Sequence, residues 1–191
     1  MSYLEFTGPP GCGKTTAARK LLLDSPALAP GRRSLIFSKA SLHVDRFGLP
    51  PEGWRVWVRL ALSLPRDLVY SARFLCDTGS FRLSRTMLWL LLKSRILVAS
   101  SNCWVVDQGL QQLILSAVAS HQLDCGRARA WRDICSSPPW GPVKLITITL
   151  NRDDLILRVK ESDKHMRQCG QLTPENYVDK NIQAYELLHN G

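Results

Sequence analysis

The chain has 191 residues, with 25 Lys and Arg against 16 Asp and Glu, a formal net charge of +9 at pH 7. With 45% hydrophobic and 21% charged residues it has the composition of a folded globular protein, which excludes disordered, collagen-like and low-complexity classes. Its six cysteines are sparse and form no C-x-x-C pair, which argues against a secreted disulfide scaffold and a zinc site and for free thiols in a reducing cytosol.

In chain order, Tyr3-Leu4-Glu5-Phe6-Thr7 reads as a short strand running into a Gly/Pro turn, and Lys14 to Leu23 as a helix with Ala17, Ala18, Leu21 and Leu22 on one face. Asp24 to Gly31 is a loop, Ser34 to Phe37 a second strand, and Leu49 to Gly53 another loop. From about residue 54 to 100 the pattern is helical and apolar, with Trp54, Trp57, Leu60, Leu64, Leu68, Phe74, Leu83, Met87, Leu90 and Leu91 expected in the core. Cys76 to Ser80 divides this segment into two helices, and Pro65 is expected to start or kink a helix within the first. Cys103 to Asp107 reads as a buried strand ending in an acid, Leu110 to Leu123 as a helix, and Cys125 to Trp140 as irregular or helical. Val143 to Leu150 is the clearest strand, followed by a helix from Asp153 to about Glu161 and a basic loop from His165 to Gly170. Thr173-Pro174-Glu175 opens a last helix with an N-cap and a proline at its first position. Apolar strands alternating with helices predict an α/β protein with a parallel sheet.

No targeting pattern is visible, and the most apolar window, Met87 to Leu92, is far short of the ~20 residues of a membrane span. A cytoplasmic protein with no membrane span is expected. The positive charge has two readings: nucleic acid or a membrane surface as partner, or a site for a polyanionic small molecule on an ordinary basic surface. The charge is spread along the chain without a block of like residues, so nucleic acid is not the favoured partner.

Gly8-Pro9-Pro10-Gly11-Cys12-Gly13-Lys14-Thr15 fits G-x-x-x-x-G-K-[ST] without a mismatch, between a predicted strand and a predicted helix. Glycines let successive amides point inward as an anion nest, and the helix start adds its dipole. Lys14 supplies a charge for the β- and γ-phosphates, and Thr15 a hydroxyl for Mg²⁺. ATP and Mg²⁺ are the expected ligands. Cys12, inside the loop, reads as a small filler, with a reactive thiol as the alternative. Asp107, at the end of an apolar strand, is a candidate to hold Mg²⁺ or to accept a proton, against capping of the next helix. Gln108 is a candidate substrate contact or a turn cap. The basic run Arg152, Arg158, Lys160, Lys164 and Arg167 follows the strongest strand, and Arg158 and Arg167 are the candidates to close over a triphosphate, a lid at about residues 158–171. Asp154 and Arg158 also have the spacing of a surface pair.

The motifs GPPGCGKTT (Gly8 to Thr16), WVVDQG (Trp104 to Gly109) and the strand with its Arg-rich sequel from Leu145 to Arg167 resemble those of P-loop kinases of small metabolites, most closely the thymidylate-kinase-like nucleotide and nucleoside kinases. The resemblance implies one domain over residues 1–191 with a three-layer P-loop NTPase fold, a parallel sheet flanked by helices, and a helical acceptor-recognising segment at about residues 54–100. It implies that Arg85, or Arg82, contacts the acceptor phosphate. The sequence departs from that family where Asp107-Gln108 stands in place of Asp-Arg, which removes a cation expected near the phosphates. Asn190-Gly191 reads as a turn into a further edge strand, so the last strand of such a sheet is expected to be missing.

Three functions compete on this basis. The leading one is Mg²⁺-dependent transfer of the ATP γ-phosphate to a small-molecule acceptor, with Lys14, Asp107, Arg158 and Arg167 as catalytic residues and Gly8, Pro9, Pro10, Gly11, Cys12, Gly13, Lys14, Thr15 and Thr16 holding the nucleotide. The alternatives are a non-catalytic nucleotide-binding module and a polynucleotide-kinase-type enzyme.

Overall fold

The computed structural model describes residues 3–24, 36–37, 53–99, 104–106, 109–140 and 144–189. Four described strands, β1 (Tyr3–Thr7), β2 (Ile36–Phe37), β3 (Trp104–Val106) and β4 (Lys144–Thr147), form one sheet in the order β2-β3-β1-β4. All three pairings are parallel: Glu5 lies opposite Val106 and Leu145, and Phe37 opposite Val106. The helices are α1 (Lys14–Asp24), α2 (Gly53–Thr78), α3 (Phe81–Ala99), α4 (Leu110–Ala119), α5 (Cys125–Ser136), α6 (Arg152–Lys160), α7 (Asp163–Cys169) and α8 (Pro174–His189).

Strand alternation sorts β1 between two faces. Leu4 and Phe6 meet Ala17, Ala18 and Leu21 of α1, while the Glu5 carboxylate turns to the start of α4. The two helices therefore cover opposite faces of the sheet. From β1 the chain runs out to the β2 edge, returns to β3, and then crosses β1 to reach β4. The C-terminal end of β1 is thus where strand order reverses, the place where parallel α/β sheets open a crevice for ligands.

α4 is apolar on nearly every side, with Leu110, Leu113, Ile114, Leu115, Ala117 and Val118 buried, as expected for a helix enclosed by others. It joins Phe74, Met87, Leu91, Trp131 and Trp140 in the larger core. A smaller core holds Cys12, Leu155, Val159, Cys169 and Val178, linking the loop after β1 to α6, α7 and α8. Local signals set the helix starts: Asp124 accepts from the Arg127 amide, Asn151 from Asp154, and Ser162 from His165. At the other end of α8, Arg129 and Arg132 donate to the carbonyls of Leu187 and Leu188, groups a helix terminus leaves open.

The chain departs from several expectations. Residues 165–169 belong to a helix, α7, because Ser162 caps it and Cys169 buries itself against the small core. Pro65 lies inside one continuous α2; that helix does not begin there. Leu64 and Leu68 are exposed rather than core, while Phe74, Met87 and Leu91 are buried and Leu83 and Leu90 pack against that core. β4 is shorter than expected, and α6 starts at Arg152, one residue early. The expectations for Ser34 and Leu35, Cys103, Asp107, Gln108, Val143 and Asn190-Gly191 lie outside the described residues, as do the side chains of Trp54, Trp57, Leu60 and Lys164.

Candidate functional site

The segment from Gly8 to Gly13 joins the C-terminal end of β1 to the first turn of α1. Gly11 and Gly13 take φ of +80° and +89°, conformations that favour glycine. The Cys12 amide donates to the Pro9 carbonyl (3.4 Å), and Ala17 donates to the Gly13 carbonyl (2.9 Å), starting the helical ladder. Lys14 is buried, and its Nζ donates to the carbonyls of Gly8 (2.7 Å) and Pro9 (2.8 Å). The ammonium is therefore held against the loop backbone rather than extended into solvent. Pro9 is buried, Pro10 and Thr15 are half-buried, and Thr16 is exposed.

Cys12 is the loop's hydrophobic foot. It is buried among Leu155, Val159, Cys169 and Val178, and Lys14 Nζ reaches its Sγ at 3.6 Å. The same packing brings α6 over the loop. Arg158 lies beside it: its Nη1 reaches the Gly11 carbonyl at 3.4 Å, and a Cβ built at Gly13 would stand 3.2 Å from that nitrogen. Arg158 is thus turned toward the loop, not toward Asp154.

The other basic residues separate into different roles. Arg152 forms a two-pronged pair with Asp179 (2.6 and 2.8 Å), and Lys160 pairs with Glu175 at 2.6 Å. Both join α6 to α8; the neighbouring cation holds the Asp179 and Glu175 carboxyls below their ordinary range. Arg167 is exposed on α7, and Arg85 and Arg82 are exposed on α3. Among the described residues, no hydrogen bond brings Arg167, Arg85 or Arg82 to the loop. Of the two lid candidates, Arg158 is the one the structure places at the loop.

Two residues at this site were not singled out from sequence. Glu5, in the middle of β1, is 1% exposed, and its Oε1 accepts from the amides of Gln111 (2.9 Å) and Gln112 (3.2 Å). The N-cap of α4 is Gly109, which has no side chain to cap the first turn, so a carboxylate from the neighbouring strand fills that role. Burial pushes the Glu5 carboxyl up to about 7, against the pull of the α4 amides. Burial, with the Glu5 charge adding to it, pushes the Cys135 thiol up. One turn into α4, Gln112 Oε1 accepts from the Gly8 amide at 3.3 Å. Glu5 therefore sets where α4 starts, and α4 in turn holds the first residue of the loop. The traces of this in sequence are an acid inside an apolar strand and a glycine at a helix start.

No group of three or more His, Cys, Asp or Glu side chains that could hold a metal occurs among the described residues. Thr15, at the first turn of α1, is the described oxygen donor beside the loop. Asp107 follows Val106, the last residue of β3, in sequence. No helix among the described residues is long and apolar enough to cross a membrane. Comparison with protein-family models gave no match, and comparison with curated proteins gave none.

Proposed function

We propose that this chain binds ATP with Mg²⁺ and transfers the γ-phosphate to a small-molecule acceptor, using a three-layer P-loop NTPase fold. The observation that carries the proposal is the Gly8–Thr15 loop at the C-terminal end of a central parallel strand, with Lys14 Nζ gathered at its carbonyls. The strand order β2-β3-β1-β4 supports it, because the loop then opens at the switch point of the sheet.

The residues fit a polyphosphate. Two glycines with positive φ let the loop curl, the N-terminus of α1 follows directly, and Lys14 and Arg158 add two cations. When bound, the nucleotide supplies the transferable phosphoryl group and Mg²⁺ neutralises charge on the phosphates. The loop amides orient the phosphate chain. Lys14 exchanges its two carbonyl contacts for phosphate oxygens, and Arg158 holds charge that develops during transfer. Thr15 offers its hydroxyl to the metal, and Asp107 is assigned as its second protein ligand or as the base that takes the acceptor proton. Arg85 and Gln108 are kept as acceptor candidates to be tested by substitution, and Arg167, exposed on α7 and without a bond to the loop, is assigned no part in the transfer.

The test is calorimetry of Mg²⁺-ATP binding to the wild type and to Lys14→Ala, followed by an acceptor-dependent phosphate-transfer screen on the same samples. Binding that is lost in Lys14→Ala, with turnover on one acceptor class, supports the kinase. Binding without turnover on any acceptor replaces it with a non-catalytic module. Turnover restricted to oligonucleotide ends, with a steep salt dependence, replaces it with a nucleic-acid kinase. Absence of binding to the folded wild type refutes the proposal.

A further inference from the structure

α2 has two opposite faces. Asp67, Ser71, Phe74 and Thr78 are buried toward α3 and the core. On the other side Val58, Leu62, Pro65 and Val69 recur at spacings of four, three and four, which keeps them on one stripe of the helix. That stripe is exposed: Leu62 is 78% and Val69 67% accessible. α3 is built the same way. Met87 and Leu91 are buried, whereas Phe81 (73%) and Trp89 (53%) face solvent with Arg82 and Arg85 between them. Both helices turn Phe74, Met87 and Leu91 to the same core and pair Ser71 with Ser84 between them, so each leaves an apolar exposed face uncovered. Isolated exposed apolar residues are ordinary on a protein surface, but a row of them over about three turns of one helix is not.

The charge on the same hairpin is one-sided. Residues 53–99 hold eight Arg and Lys against two Asp, a net +6 of the chain's +9. Both acids are engaged inside the structure: Asp67 by Arg95 and the Trp140 indole, and Asp77 by the Trp131 indole and Arg127. The exposed side of the hairpin therefore presents aliphatic and aromatic side chains with Arg82 and Arg85 beside Phe81 and Trp89, while Arg66 and Arg73, also exposed, lay their guanidinium groups over the rings of Tyr70 and Trp140 and of Trp131; no carboxylate stands among them.

From this we infer that the outward face of the α2–α3 hairpin docks on the surface of an anionic lipid bilayer, lying in its plane. The aliphatic row and the aromatic pair enter the headgroup–acyl boundary while the arginines meet lipid phosphates, the division of labour of interfacial amphipathic helices. A nucleic acid would use the arginines and Trp89 but has no counterpart for Leu62, Leu68 and Val69. A second copy of the chain would cover the apolar row but would bring the exposed arginines of one copy against those of the other. An anionic bilayer matches both features at once. Docking of this kind needs no spanning helix, and it is independent of what the Gly8–Thr15 loop binds.

The experiment is co-sedimentation of the full chain with phosphatidylcholine vesicles, with and without phosphatidylglycerol. Binding is expected only to the phosphatidylglycerol vesicles and should fall with added salt. Leu62→Glu with Val69→Glu should weaken it on the order of a hundredfold, and Arg82→Ser with Arg85→Ser about thirtyfold. These positions are exposed, so the variants should melt at the wild-type temperature; Leu157→Glu, an exposed apolar position on α6, should bind as the wild type does. Sedimentation equilibrium without lipid and an oligonucleotide titration complete the test. No vesicle binding, equal binding to both vesicle types, a lipid-free dimer dispersed by Leu62→Glu with Val69→Glu, or oligonucleotide binding that displaces vesicles and depends on Trp89 would each overturn the inference.

Discussion

Replacing Glu5 by Gln should remove a defined part of this protein's pH-dependent stability. The carboxyl is enclosed between β1 and the start of α4, faces the Cys135 thiol from α5, and is raised by burial from 4.5 to about 7. At about 1.4 kcal/mol per tenfold change in proton affinity, ionising it costs the folded state about 3 kcal/mol more than the unfolded chain. Below pH 4.5 it is protonated in both states and carries no penalty. Between pH 4.5 and 7 only the folded state retains the proton, so stability falls as pH rises, and above pH 7 the whole penalty is present. Gln keeps an oxygen for the Gln111 and Gln112 amides but cannot ionise. Urea unfolding of both proteins across this range gives the difference in stability, from which titration of the histidines cancels. Glu5→Gln should gain about 3 kcal/mol relative to wild type between the acid and neutral ends. A difference that stays flat across the window would refute the buried-carboxylate account.

Three further outcomes follow from the same geometry. In Gly109→Ala the new methyl would lie on the Glu5 carboxyl, with Oε1 at 2.7 Å, and should cost about 2 kcal/mol; Glu5→Ala should make that change nearly neutral, as a double-mutant cycle would measure. Asp67→Ala leaves Arg95, 15% exposed, without its carboxylate and strands the Trp140 indole contact, so denaturant titration should show a loss of about 4 kcal/mol. Arg158→Ala should lower acceptor-dependent phosphate transfer about a hundredfold, while Arg167→Ala, at an exposed site without a bond to the loop, should leave it near wild type; equal effects would reject Arg158 as the cation at the loop.

Sequence by itself determined the parts that depend on neighbours along the chain. Glycine spacing and Lys14 marked the loop, alternation and β-branched residues marked β1 and β4, and Thr173-Pro174 marked the start of α8, because these depend on backbone preference and local hydrogen bonding. Tertiary structure decided what depends on approach between distant segments. Within one basic run, Arg152 and Lys160 pair with α8 while Arg158 turns to the loop, and no spacing rule separates them, because the choice depends on which helix lies opposite. The apolar period of α2 indicated a helix but not which side would be covered, since periodicity is the same for a stripe facing the core and one facing outward. Glu5 shows the same limit: its role at the start of α4 arises only where residues more than a hundred positions apart meet across adjacent strands, and burial there sets its proton affinity.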